Sequence, residues 1–310
     1  MRVIDNDEKV GARIVALGTF DGVHKGHAAL LQMGREYADR HGILLRAYTF
    51  DRHPMDVLCP SQTPGTLSTP HEKIALMERL GTDELRVLPF TADTAKMEPT
   101  AFIDLLQTET ELKAVIAGWN YTYGSMGAGN PDTLRAAAAA RGFDVLIVDP
   151  VSTDDGRHIS STEIRRCIVN GDMRSARAML GYDYSLTGIV VSGKGVGRRI
   201  GFPTANIRQT DGKLLPANGV YICRLEENGM VYEAVADIGF HPTLPTGGLT
   251  VEAHVLHACP DLYGRTVRLA ILERIRDEKQ FSTETELSNQ IRTDTELAEK
   301  WFRMDRTDEY

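Results

Sequence analysis

The chain has 310 residues, 42% hydrophobic and 25% charged, enough for two ordinary domains that each bury a core. Its net charge of −8 argues against a nucleic-acid-binding protein, so cationic residues that meet phosphate must be concentrated locally. No run approaches the ~20 apolar residues that cross a bilayer, the N-terminus lacks a signal-peptide core, and Cys59, Cys167, Cys223 and Cys259 form no CxxC pair. The expected setting is cytoplasmic, with free thiols, no membrane, no nucleic acid and no zinc site.

From residue 13 to about 150, short apolar runs alternate with longer amphipathic ones. Residues 14–17, 44–50, 84–88, 114–117 and 145–148 read as strands; 28–40, 71–79, 100–107 and 131–140 read as helices. This alternation predicts an α/β domain with a parallel sheet, whose ligands sit beyond the carboxyl ends of the strands. Helical patterns at 162–169 and 172–180 follow. The pattern then changes to strand-like runs at 186–191, 220–225, 231–238, 250–256 and 266–272 without intervening helices. These predict a small antiparallel barrel or sandwich, closed by a helix from about 283 to 301. A boundary near 182–185 divides the chain into 1–183 and 184–310.

The first strand ends in Ala-Leu-Gly-Thr-Phe-Asp-Gly-Val-His-Lys-Gly-His, residues 16–27. A strand, a Gly-containing turn and a helix N-terminus aim backbone N–H groups and the helix dipole at an anion. Gly18, Phe20, Gly22 and Gly26 are the candidate phosphate-binding positions. His24 and His27 can donate to phosphate oxygens, which points to nucleotidyl transfer, a reaction that needs positioning and charge compensation above all. Taken alone, the two histidines also fit a turn that merely caps the helix. A metal site lacks a third ligand nearby.

Downstream, residues 159–165 read Ile-Ser-Ser-Thr-Glu-Ile-Arg. Ser161 or Thr162 can cap the following helix, with Arg165 one turn inside it. With Ser160, these residues offer hydroxyls, backbone donors and a guanidinium to a triphosphate. An ordinary cap with a surface arginine is the alternative when the segment is seen alone; beside the first motif, the triphosphate reading prevails.

Residues 188–194 nearly fit a P-loop. However, Gly195 stands where Ser or Thr would bind magnesium, and the middle of the segment reads as strand. Gly193, Gly195 and Gly197 can let the backbone curl against phosphates, and Lys194, Arg198 and Arg199 add local positive charge. Thr204 and Asn206 alternate along an extended segment and share a face, where a hydroxyl and an amide oxygen suit Mg²⁺. A Gly-rich hairpin with a basic surface remains the alternative on composition.

Over nearly the whole chain these motifs resemble the bacterial bifunctional riboflavin kinase/FAD synthetase family. Further matches are Thr-Phe-Asp-Arg-His-Pro (49–54), residues 67–73, Pro89-Phe90 and Ala-Gly-Trp-Asn-Tyr-Thr-Tyr-Gly (117–124). The resemblance implies a Rossmann-like HxGH nucleotidylyltransferase domain and a six-stranded antiparallel β-barrel riboflavin kinase domain with a terminal helix. Riboflavin, FMN and ATP would be the substrates, with Mg²⁺ as the divalent cation. The segment around Asn120 would help form the adenine and flavin-phosphate site, and His53 could reach phosphate. In Gly-Phe-Pro-Thr-Ala-Asn (201–206), Pro203 and Thr204 would meet ATP, with Thr204 and Asn206 at the metal. Asn206, Asp261 and Tyr263 would face the flavin, and Glu252 would be the catalytic base.

Asn120 stands where the family often has Asp, Arg52 where Pro is common, Asp237 where Asn is usual and His241 where Arg is common. His158, His241, His254 and His257 read as fold or surface residues. The rival readings are an HxGH transferase for nicotinate mononucleotide or phosphopantetheine, and a non-catalytic flavin-binding regulator. Homo-oligomerisation is left open.

Overall fold

The computed structural model describes residues 1–4, 10–193, 195–210, 212–240 and 249–307; Lys194 and His241 lie outside the described residues. By their contacts these form two compact units, Met1–Glu163 and Ile164–Tyr310.

In the first unit the strands are β1 (Arg2–Ile4), β2 (Val10–Leu17), β3 (Leu44–Phe50), β4 (Glu84–Leu88), β5 (Thr110–Gly118) and β6 (Asp144–Val148). Helices α1 (Lys25–His41), α2 (Met55–Leu58), α3 (Pro70–Arg79), α4 (Pro99–Glu109) and α5 (Pro131–Arg141) run between them. The sheet order is β1-β4-β3-β2-β5-β6 and every pairing is parallel. Successive residues of β2 face opposite layers. Ile14 and Ala16 pack under Leu30, Leu31 and Ala38 of α1 and Met77 of α3, whereas Val15 and Leu17 pack against Phe102, Ile103 and Leu106 of α4 and Leu134 of α5. After β2 the chain builds outward through β3 and β4, and then returns to add β5 on the other side. The switch point therefore lies at the carboxyl ends of β2 and β5, where the His24/His27 turn and residues 118–120 begin.

The second unit contains α7 (Met173–Leu180), β7 (Ser185–Val191), α8 (Val196–Arg199), β8 (Thr204–Gln209), β9 (Gly219–Glu227), β10 (Met230–Phe240), β11 (Leu249–Val255), β12 (Thr266–Arg276) and α9 (Glu284–Thr307). Helix α6 (Ser161–Val169) carries the boundary between the units in its first turn. The barrel closes in the order β10-β11-β8-β7-β12-β9 with antiparallel pairs. Val220, Ile222, Val235, Ala270 and Leu272 pack with Ala298 and Phe302 of α9. The predicted sixth strand is β8, the extended segment that carries Thr204 and Asn206. Strand β12 runs past the predicted 266–272, because bulges between Ile271 and Glu273 and between Arg274 and Arg276 break its alternation.

Candidate active sites

The turn after β2 is strained. Phe20 (φ 49°) and Val23 (φ 34°) both lie in the left-handed region, which costs on the order of 1–3 kcal/mol each for non-glycine residues. Asp21 holds the turn: its buried carboxylate accepts the Leu67 N–H at 2.9 Å, the Ser68 N–H at 3.1 Å and the Ser68 hydroxyl at 3.4 Å. The Gly22 N–H donates to Ser68 Oγ at 3.0 Å. From α3, Lys73 Nζ donates to the Thr19 carbonyl at 2.8 Å, which also accepts from Thr49 Oγ1 at 2.9 Å. The Gly22 amide is engaged within the protein, and the Phe20 ring is wholly buried, 5.2 Å from the His27 ring.

His24 is the N-cap of α1, and its Nδ1 accepts the His27 N–H at 3.3 Å. In the neutral imidazole that bond leaves the proton on Nε2, making it the donor. The His27 ring stacks on His24, with centroids 3.8 Å apart and planes at 15°. Gly26 makes this possible: a Cβ there would stand 3.1 Å from His24 Cε1 and Nδ1. Burial first, then repulsion from His24 and from Lys73, holds the His27 imidazole well below its ordinary pKa. Its Nδ1 is buried without a partner among the described residues. A first-turn amide such as that of Gly26 has no carbonyl to bond within the helix, so the site already offers donors to an anion.

A cavity of about 930 Å³ joins these groups. Gly18, His24, Gly26, His27, Asn120, Ser160, Ser161 and Thr162 line it, and Phe50, Phe90, Trp119, Tyr121 and Tyr123 supply aromatic walls. Ser160, rather than Ser161 or Thr162, caps α6, accepting the Glu163 N–H at 3.2 Å. Ser161 donates instead to the Asp21 carbonyl at 3.0 Å, tying the two motifs together. Arg165 lies one turn along α6, half-buried and grouped with the second unit. His158, read from the sequence as a fold or surface residue, lines the cavity edge-on to Trp119 at 5.8 Å. His53 accepts the Met55 N–H at 3.1 Å, so its Nδ1 serves α2. Asp21 and Lys73 went unassigned in the sequence; the signal for Asp21 was an acid inside a glycine turn.

In the barrel, a second cavity of about 240 Å³ is lined by Gly193, Gly195, Arg198, Pro203, Thr204, Asn206, Asp261 and Tyr263. Register pairs Thr204 with His254 and Asn206 with Glu252 across β8 and β11, which places these four side chains on one face. Thr204 Oγ1 donates to Glu252 Oε2 at 3.4 Å. A Cβ on Gly193, two residues past β7, would run into the Asn206 amide, so a larger residue there would have to displace the Asn206 side chain. Gly197 does not line the cavity; its carbonyl accepts the Phe202 N–H at 2.8 Å and closes the turn. Arg199 pairs with Glu284 at 2.8 Å, while Arg198 lines the cavity. Asp237 pairs in register with Glu252 from β10. Among the described residues no cluster of three or more His, Cys, Asp or Glu side chains could hold a metal.

A histidine-bearing helix N-terminus at an α/β switch point, joined in one chain to a closed barrel with a glycine-rich rim, defines a two-part transferase acting on phosphate compounds. A model of FAD synthetase matches residues 6–163 and one of riboflavin kinase matches residues 180–302. The chain belongs to the bifunctional riboflavin kinase/FMN adenylyltransferase family, and both activities reside in it. The relative so described from Bacillus subtilis (strain 168) is 35% identical over 303 residues, covering 95% of this chain and 94% of its own. That from Escherichia coli (strain K12) is 31% identical over 294 residues, covering 93% and 92%. The crystal structure of a macrolide-efflux protein from Streptococcus pneumoniae aligns with a TM-score of 0.88 at 31% identity, covering 96% of this chain and 98% of that one. Among the described residues here, no helix is long and apolar enough to cross a membrane.

Proposed function

We propose that residues 1–183 transfer the adenylyl group of ATP to FMN and that residues 184–310 phosphorylate riboflavin. The observation that supports this division is that one cavity is lined by residues between 17 and 162 and the other by residues between 190 and 263, each with its own phosphate-directed groups.

In the first reaction an FMN phosphate oxygen bonds to the ATP α-phosphorus, the bond to the β-phosphate bridging oxygen breaks, and pyrophosphate carries away the charge. The cost is electrostatic, and donors fixed beforehand lower it. His24 Nε2–H donates to a phosphate oxygen. His27, neutral in the empty site, gains a proton more readily once the triphosphate is beside it. Ser160, Ser161 and Thr162 present the α6 N-terminus, Arg165 is assigned to the pyrophosphate, and Asn120 to the adenine or flavin phosphate. The aromatic walls take the flavin.

In the second reaction the riboflavin primary hydroxyl passes its proton to Glu252 as its oxygen bonds to the γ-phosphorus, and ADP leaves. Gly193, Gly195, Arg198 and Pro203 border the nucleotide, with Gly197 shaping the turn. Asp261, Tyr263 and Asn206 border the flavin. Thr204 and Asn206 would hold Mg²⁺, which compensates phosphate charge when bound.

ATP as substrate, the acidic balance and free cysteines support a cytoplasmic enzyme of small molecules. Incubation with riboflavin and ATP, followed by flavin chromatography, tests the proposal. FMN and then FAD should form with Mg²⁺, and neither when the cation is chelated. A failure to make either flavin with Mg²⁺ would overturn it.

A further inference from the structure

The Gly201-Phe202-Pro203-Thr204 turn delivers Thr204 and Asn206 to the kinase cavity, yet it has few ways to be held. Proline brings no N–H, so at Pro203 only the carbonyl can be bonded. The Phe202 N–H reaches back to the Gly197 carbonyl, which ties the turn to α8 and not to the barrel. Beside the β8–β11 pairing and the Thr204–Glu252 bond, which begin at Thr204, the turn ahead of Thr204 is tied to the barrel through His254 on β11. Its Nδ1 lies 2.9 Å from the Pro203 carbonyl oxygen, and its ring meets the Phe202 ring edge to face, with centroids 5.4 Å apart at 79°. Because a carbonyl only accepts, the imidazole carries its proton on Nδ1. His254 is also the register partner of Thr204 and lies two residues from Glu252 on the same face.

We propose that His254 is a positioning residue of the riboflavin kinase site: by donating to the Pro203 carbonyl and bracing Phe202, it sets where Thr204 meets the nucleotide. It touches the turn, not the reacting atoms. Its loss therefore weakens nucleotide binding more than it alters the handling of riboflavin. This role rests on the assignment of the kinase reaction to this barrel face. Glu252→Gln tests that assignment separately, because a folded E252Q protein that still phosphorylates riboflavin removes the site itself.

The experiment uses the full chain and two variants. His254→Phe keeps a ring against Phe202 and removes the donor; His254→Asn keeps a donor near the Nδ1 position and removes the ring. For His254→Phe the expected result is a rise of roughly fivefold in KM for ATP in FMN formation, the size of one lost neutral hydrogen bond. ADP binding measured by calorimetry should weaken by a similar factor. KM for riboflavin at saturating ATP should stay within about twofold, as for a residue that acts on one substrate. His254→Asn should recover most of the ATP affinity. FAD formation from supplied FMN serves as the internal control and should not change in either variant. Equal impairment of both substrates' KM, no recovery in His254→Asn, unchanged ADP binding, or a parallel loss of FAD formation would each overturn the positioning role.

Discussion

Gly26→Ala separates stability from catalysis at a single methyl group. The new Cβ would stand 3.1 Å from His24 Cε1 and Nδ1, so the imidazole must retreat by about 0.3 Å to reach ordinary contact. The bond that orients His24, from the His27 N–H to Nδ1, is already 3.3 Å long, and a retreat of that size takes it out of hydrogen-bonding range. The ring then loses the tautomer and the aim that point Nε2–H at a phosphate. Misplacement of a catalytic donor by a fraction of an ångström should cost about 10- to 100-fold in FAD formation. Stability moves the other way or barely at all. Alanine in place of glycine in a helix contributes up to about 1 kcal/mol, which offsets the weakened cap. The assay is FAD formation from FMN and ATP beside a thermal melt, with FMN formation from riboflavin as the control. A Gly26→Ala protein with unimpaired FAD formation would refute the claim that His24 geometry governs the reaction.

His27 should titrate below 6.5 in the folded protein, because burial, His24 and Lys73 all disfavour its charged form. The unfolded chain then binds the extra proton first. The associated stability is present in full above pH 6.5 and is lost as the pH falls toward the folded value. An imidazole NMR titration assigned with His27→Gln checks this, and a midpoint at or above 6.5 would contradict it. Asp21→Asn removes the carboxylate charge and sets an amide NH2 where the second oxygen accepts the Leu67 N–H. It should destabilise the α/β unit by about 2 kcal/mol and lower FAD formation with it, read by urea unfolding and flavin chromatography. An unchanged urea midpoint would show that the strained turn holds itself.

The parallel sheet was legible because the β2, β3 and β5 interiors are apolar and the helices between them periodic. The charges inside it were not. Arg46, wholly buried in β3, bonds Glu84 at 2.8 Å, and Arg86 bonds Glu109 at 2.8 Å; these partners are 38 and 23 residues away. Nothing local announces such pairs: sheet register sets Arg46 beside Glu84, and the last residue of α4, Glu109, is brought to Arg86 of β4 by packing. The same limit applied to the sites. His24, His27, Thr204 and Asn206 stood out through spacing, and Glu252 only through family resemblance. Asp21 acts through Leu67 and Ser68, 46 and 47 positions on, and His254 through Pro203, 51 positions back. The Ser160 cap was misassigned by one residue, since three consecutive hydroxyls at 160–162 offer three possible starts and only packing chooses among them.

Two variants assayed side by side, His24→Ala and Glu252→Gln, test the division of labour most directly. Given riboflavin and ATP, His24→Ala should accumulate FMN and make no FAD. Glu252→Gln should leave riboflavin unphosphorylated yet convert supplied FMN to FAD at the parent rate. If either substitution removed both activities from a protein that remains folded, the chain would not hold two independent sites.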